Sequence, residues 1–138
     1  MGVPQFEWRI DSENYISGDA DKIKTKDFIK YVAKALNDLR KQDFNQVKSG
    51  RHNHLCCDLE TKKSEKAKRL SKEFKRINER LGEKEGFLLE QGDPETTNIL
   101  QIAIKNYPNR KEFRCYGYIR DNCFYLLYLD PKHEVYKE

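Results

Sequence analysis

Phe113-Arg114-Cys115-Tyr116-Gly117-Tyr118-Ile119-Arg120-Asp121-Asn122-Cys123-Phe124-Tyr125-Leu126-Leu127-Tyr128-Leu129-Asp130-Pro131-Lys132-His133-Glu134-Val135-Tyr136 is the stretch whose reading decides the fold. Two aromatic and β-branched runs flank Asp121-Asn122, a polar pair that tolerates the positive φ of a tight hairpin turn. In the first run Arg114, Tyr116, Tyr118 and Arg120 share one strand face, and Phe113, Cys115, Gly117 and Ile119 the other. The second run, Cys123 to Leu129, is apolar or aromatic on both faces. That pattern predicts a strand inside a sheet, with neighbours on both sides. Asp130-Pro131 ends it, because proline cannot donate to a ladder. A tail carrying Lys132, His133 and Tyr136 follows.

Working back towards the start, Asn98 to Ile104 reads as a strand, and Asn106 to Lys111, with Pro108 and Asn109, as the turn into the hairpin. Three consecutive strands with short turns predict an antiparallel meander. Glu83 to Thr97 reads as a loop around Phe87-Leu88-Leu89. Thr61 to Leu81 is the longest helix: Ala67, Leu70, Phe74, Ile77 and Leu81 step by three and four, and Gly82 stands where a helix ends. Near the N-terminus, Phe6, Trp8 and Ile10 alternate as a half-buried strand, and Asp11 to Lys24, with Gly18, as a loop. Thr25 then offers an N-cap for a helix to about Lys41, with Phe28, Val32, Leu36 and Leu39 as its apolar stripe. Gln42 to Lys48 adds a turn with Phe44 and Val47 inward, and Ser49-Gly50 breaks it. The expectation is one α+β domain over residues 1–138, an antiparallel sheet with its two main helices packed on one face.

Hydrophobic residues make up 37% of the chain and charged residues 36%, so the core is compact and the surface wet. No apolar run reaches the length of a membrane span and no signal-peptide pattern is present, so no membrane partner is expected. Cys56, Cys57, Cys115 and Cys123 lack the spacing of a disulfide framework and read as reduced thiols of a cytoplasmic protein. There is no phosphate-binding glycine loop, dinucleotide fingerprint, nucleophile elbow or kinase signature, and no cofactor is expected.

Three constellations carry chemistry. The first gathers Arg51, His52 and His54 from the middle of the chain with Arg114, Arg120, Lys132, His133 and Tyr136 from its end. Metal-free cleavage of RNA needs a base for the 2′-hydroxyl, an acid for the leaving oxygen and cations on the phosphorane. Histidine titrates near neutrality and suits proton transfer, whereas the planar fork of arginine matches phosphate oxygens. Tyr116 and Tyr118 beside them are candidates to stack unpaired bases. The candidate catalytic residues are therefore His133, His54, His52 and Tyr136, and the candidate nucleic-acid contacts are Arg114, Arg120, Arg51, Lys132, Tyr116 and Tyr118.

The second constellation is a metal set of His52, His54 and Cys56, which share a face if Arg51 to Leu59 is extended, with Cys57, Asp58 or His133 as a further ligand. A flat strand spreads such side chains by about 6–7 Å and no CxxC accompanies them, so no metal is expected. The third is the long helix: Lys62 to Glu85 holds ten Lys or Arg against five Glu. Such a face can follow a phosphate backbone, although it is more often the solvated side of an amphipathic helix.

The close of the chain, from Phe113 to the Asp130-Pro131-Lys132-His133-Glu134-Val135-Tyr136 tail, resembles a family of small bacterial and phage proteins. That family has an R-x-x-G-x-R strand (the second arginine here stands one place later), an aromatic strand and D-P-x-H-E-x-Y. Lys48-Ser49-Gly50-Arg51-His52-Asn53-His54 resembles the family's basic G-K-S-K-H-H segment. The arrangement is also similar to the RelE/HigB toxin ribonucleases, over about the last forty residues. That resemblance implies a compact toxin-like fold, an RNA substrate and a cognate antitoxin as protein partner. Two readings follow. One is a toxin-like, RNA-directed protein acting as a metal-independent endoribonuclease. The other is a non-catalytic interaction module of mobile-element origin that binds a protein or nucleic acid.

Overall fold

The computed structural model describes residues 4–16, 23–85, 99–108 and 112–136. Most of the loop expected after Glu83, with Phe87-Leu88-Leu89, lies outside them, as do the Leu81 side chain, Asn98, Asn109 and Gly18 with its neighbours.

The expected hairpin is present. Strand β4 (Arg114–Arg120) turns through Asp121 and Asn122, at φ 51° and 61°, into β5 (Cys123–Asp130). Two successive positive φ values match the right-handed twist of the strands they join. Strand β3 (Ile99–Ala103) lies antiparallel to β4, and the two-residue β2 (His54–Leu55) borders β3. Strand β1 (Trp8–Ile10) runs along the far side of β5, giving the order β1-β5-β4-β3-β2. As its two-sided apolar pattern requires, β5 has neighbours on both sides.

Two expectations are corrected. The sheet is mixed, because β1 pairs parallel with β5, Trp8 opposite Phe124 and Ile10 opposite Leu126. The helices also cover both faces. Val32, Leu36, Phe44 and Val47 pack with Leu100, Ile102, Cys115 and Leu126 in one core. Ala67, Leu70, Phe74 and Ile77 pack with Tyr116, Tyr118 and Leu127 in another. A strand buried on both faces needs an apolar layer on each, and β5 has both.

The first layer comprises α1 (Thr25–Asp27), a π-helical segment (Phe28–Ala33), α2 (Lys34–Asp38), a 3-10 turn (Leu39–Lys41) and α3 (Phe44–Lys48). Lys24, not Thr25, is the N-cap residue, and its side chain makes no capping bond. Asp43 and Gln46 close a reciprocal capping box on α3, which fixes the turn that buries Phe44 and Val47. The second layer is α4 (Glu65–Glu85), which starts later than its periodicity suggests because the Ser64 hydroxyl accepts from the Ala67 amide at 3.0 Å. It runs through Gly82 instead of stopping there.

The β4–β5 register shifts between Tyr116, opposite Tyr128, and Gly117, opposite Leu126. Leu127 is therefore the extra residue of a bulge, and its carbonyl accepts from the Ile16 amide at 2.8 Å. Gly117 is required here: a Cβ would stand 2.2 Å from the Tyr125 carbonyl oxygen and 2.7 Å from the Phe124 ring. No helix among the described residues is long and apolar enough to cross a membrane.

Candidate functional site

The middle histidines and the tail meet at the Arg114 end of the sheet. Residues after Gly50 turn sharply, with His52 at φ 68°, before β2 begins. Asn53 holds that turn in place: its amide donates to the Val47 carbonyl at 2.9 Å and accepts from the Ala103 amide at 2.8 Å. His54 then pairs with Gln101 across β2 and β3. On the other side, the Asp130 carboxylate accepts from the Glu134 and Val135 amides, each at 2.9 Å, and folds the tail back with His133 at φ 54°. His52 and His133 therefore both occupy left-handed backbone, an uncommon place for a residue other than glycine.

Gln101 connects the parts. Its amide nitrogen donates to the His52 carbonyl at 2.7 Å and lies 3.2 Å from His54 Nδ1, while its oxygen accepts from the Tyr116 hydroxyl at 2.6 Å. The His52 carbonyl can only accept and the Tyr116 hydroxyl donates to Oε1, so the amide orientation is settled. His54 Nδ1 must then be an acceptor, and its proton sits on Nε2. His54 is thereby held as one neutral tautomer. Burial lowers its pKa first; Asp58 opposes this, and His133, Arg114 and Lys62 lower it further.

The same charges reach the other imidazoles. Loss of hydration comes first in lowering the pKa of His52, followed by Arg114, Arg51 and Lys105. Partial burial, then Arg114, lowers that of His133, while Asp130 and Glu112 act to raise it and His52 to lower it again. All three histidines thus lie within the field of Arg114. That side chain is only 5% exposed, its Nη1 donates to the adjoining Phe113 carbonyl at 3.2 Å, and its buried Nε has no partner. No carboxylate among the described residues forms an ion pair with it. A buried guanidinium without an anion is costly, and a bound anion would relieve that cost.

Tyr136 closes the wall. Its ring meets His54 edge-on at 5.2 Å and stacks on Tyr116 at 6.3 Å, its hydroxyl donates to Asp58 at 3.2 Å, and Lys62 lies over its ring at 5.3 Å. Burial and nearby Cys56 push its pKa up, so the hydroxyl keeps the proton it donates to Asp58.

The remaining candidate residues lie beneath the cluster, at its rim or away from it. Tyr116 is fully buried and Tyr118 nearly so, the latter donating to Asp11 at 2.7 Å, which leaves neither ring a face for a base. Arg120 sits at the opposite end of β4, about 20 Å from Arg114 at strand rise, beside Asp121 at 3.6 Å. Arg51 and Lys132 are exposed at the site's rim. His52, His54 and Cys56 do not share an extended face, since the chain is left-handed at His52 and β2 spans two residues. Among the described residues no three His, Cys, Asp or Glu groups converge as metal ligands would.

Sequence reasoning missed Gln101, Asn53 and Asp130, and weighed Asp58 only as a metal ligand. A signal existed for Gln101, the one polar residue in Ile99-Leu100-Gln101-Ile102-Ala103. No protein-family model matches this chain, and neither curated proteins nor solved structures give a match.

Proposed function

We propose that the protein is a metal-independent endoribonuclease of toxin-like character, acting at the cluster of His52, His54, His133 and Arg114. One observation carries the reading: three imidazoles from two distant segments share the field of a buried, unpaired guanidinium. The resemblance of the hairpin and tail to RelE/HigB ribonucleases points the same way, and a cognate antitoxin is then the natural protein partner.

In this reading Arg114 binds the non-bridging oxygens of the scissile phosphate. His52, neutral beside three cations, takes the proton from the 2′-hydroxyl. The 2′-oxygen bonds to phosphorus, the bond from phosphorus to the 5′-oxygen breaks, and His133 supplies that oxygen's proton. Burial and Arg114 lower the pKa of His133, but unlike His52 it has carboxylates, Asp130 and Glu112, acting against that, so the acid role falls to it. His54, fixed with its proton on Nε2, donates a hydrogen bond to the developing charge. The products are a 2′,3′-cyclic phosphate and a 5′-hydroxyl.

The test is a labelled single-stranded RNA incubated with chelator. Cleavage to a cyclic phosphate, blocked by a 2′-deoxy substitution at the cut, is the expected result. No binding at low salt would end the RNA reading. Binding without cutting, unchanged by His133→Asn, would instead favour the interaction module.

A further inference from the structure

The whole-chain charge is +4, and the Glu65–Arg80 part of α4 carries an excess of that size, seven Lys or Arg against three Glu. Ala67, Leu70, Phe74 and Ile77 point into the core. At 100° per residue the opposite side carries five cations, Arg69, Lys72 and Arg76 flanked by Lys68 and Lys75, with the carboxylates Glu65 and Glu79 near its two ends. All five are exposed. Glu73 pairs with Arg76 at 2.7 Å and Glu65 with Lys68 at 3.6 Å, whereas Arg69 and Lys72 have no ion-pair partner among the described residues.

A solvated face would be unremarkable if it stood apart from the site, but α4 begins against it. The Ser64 hydroxyl donates to the Val135 carbonyl at 2.6 Å, and Lys66 pairs with Glu134 at 3.1 Å, so its first turn is fastened to the tail that carries His133 and Tyr136. From there α4 crosses the sheet, Arg80 lying 3.7 Å from Glu13 on the loop whose Asp11 holds Tyr118.

We propose that the outer face of α4, centred on Arg69, Lys72 and Arg76, is a phosphate-backbone track for the RNA flanking the cleavage point. The proposal rests on the reading of the histidine cluster as the place of cleavage. The substrate it implies is a single strand long enough to lie along several helical turns. Backbone charge, not base identity, supplies its affinity on this face, so binding there is sequence-tolerant and salt-sensitive.

The experiment compares Arg69→Glu/Lys72→Glu with a control of equal charge change on the other layer, Lys26→Glu/Lys41→Glu. Retained fold is checked by circular dichroism. Each is assayed on a long single-stranded RNA and on a dinucleotide too short to reach α4. The α4 variant should bind the long RNA at least about tenfold more weakly, with a salt slope flatter by about 0.7 for each phosphate that is no longer neutralised. Its dinucleotide cleavage should stay unchanged, and the control should resemble the wild type. Equal weakening in both variants would show a net-charge effect and overturn the track, as would unchanged binding. Loss of anionic-vesicle binding with RNA binding intact would assign the face to lipid and also overturn it. If neither RNA is cut by the wild type, the cleavage reading fails, and the binding comparison still decides the track.

Discussion

Arg114 and Asp130 stand opposite each other in the β4–β5 register, yet they form no ion pair. The Asp130 carboxylate is fully buried and turned to the Glu134 and Val135 amides, which leaves the guanidinium open to another anion. One pair of residues therefore both folds the tail and keeps a cation available.

Asp130→Ala removes the acceptor of one buried amide, Val135, and one part-buried amide, Glu134. Each unsatisfied amide costs about 1–3 kcal/mol, so the variant should lose at least that much stability in urea unfolding. Any cleavage should fall with it, because His133 is no longer fixed. Wild-type stability would contradict the account of the tail.

Arg114→Ala should weaken RNA binding and flatten its salt dependence, because one cation that displaces counterions from the phosphates is removed. His133→Asn should leave binding nearly intact while lowering cleavage by about 10²–10⁴-fold, the usual worth of a positioned acid. Asparagine tolerates the left-handed backbone at position 133, so the tail should keep its shape. Filter binding across salt and product gels on one RNA separate the two effects.

The pH dependence of stability has a definite sign. His52, His54 and His133 all have folded pKa values below the unfolded 6.5. The unfolded chain then binds more protons through this range, so stability is full above pH 6.5 and falls as pH drops through the folded values. Melting temperature should decline on acidification below neutrality, and the slope should shrink in His54→Gln. A melting temperature that rises on acidification would contradict the lowered pKa values of these rings.

Gly117→Ala should be strongly destabilising, because its methyl meets a backbone carbonyl and an aromatic ring that cannot both retreat. A loss of about 1–3 kcal/mol or more is expected by chemical denaturation.

The thiols offer a rapid check of the cores. All four cysteines are free; Cys56 and Cys115 are fully buried and Cys123 nearly so. Burial pushes the Cys56 thiol up to about 12 and raises Cys115 and Cys123 as well. A thiol reagent should modify only Cys57 quickly in the native protein and all four in denaturant. Fast reaction of two or more would mean that one of the layers over the sheet is open.

Local features were legible in the sequence. The Asp121-Asn122 turn, the central place of β5, and the stripes of Val32 and Leu36 and of Leu70 and Phe74 follow from turn chemistry and periodicity. Pairings across the chain were not. Nothing local says that β1 lies parallel to β5, or that the face holding Arg114, Tyr116 and Tyr118 is roofed by α4. Those tyrosines read as surface residues because of their hydroxyls, and they are buried because Gln101 and Asp11 accept from them. The histidine turn was unreadable for another reason: its left-handed residue is a histidine where glycine or asparagine would have announced it.

The pairing of Trp8 with Phe124 has a consequence in the order of synthesis. Trp8 leaves the ribosome early and waits through more than a hundred residues for its partner strand. Contacts of such sequence separation close slowly, since the loop entropy is paid before the pairing rewards it. Until β1 docks, the apolar β5 is an open edge, and the nascent chain is then most vulnerable to aggregation and to capture by chaperones.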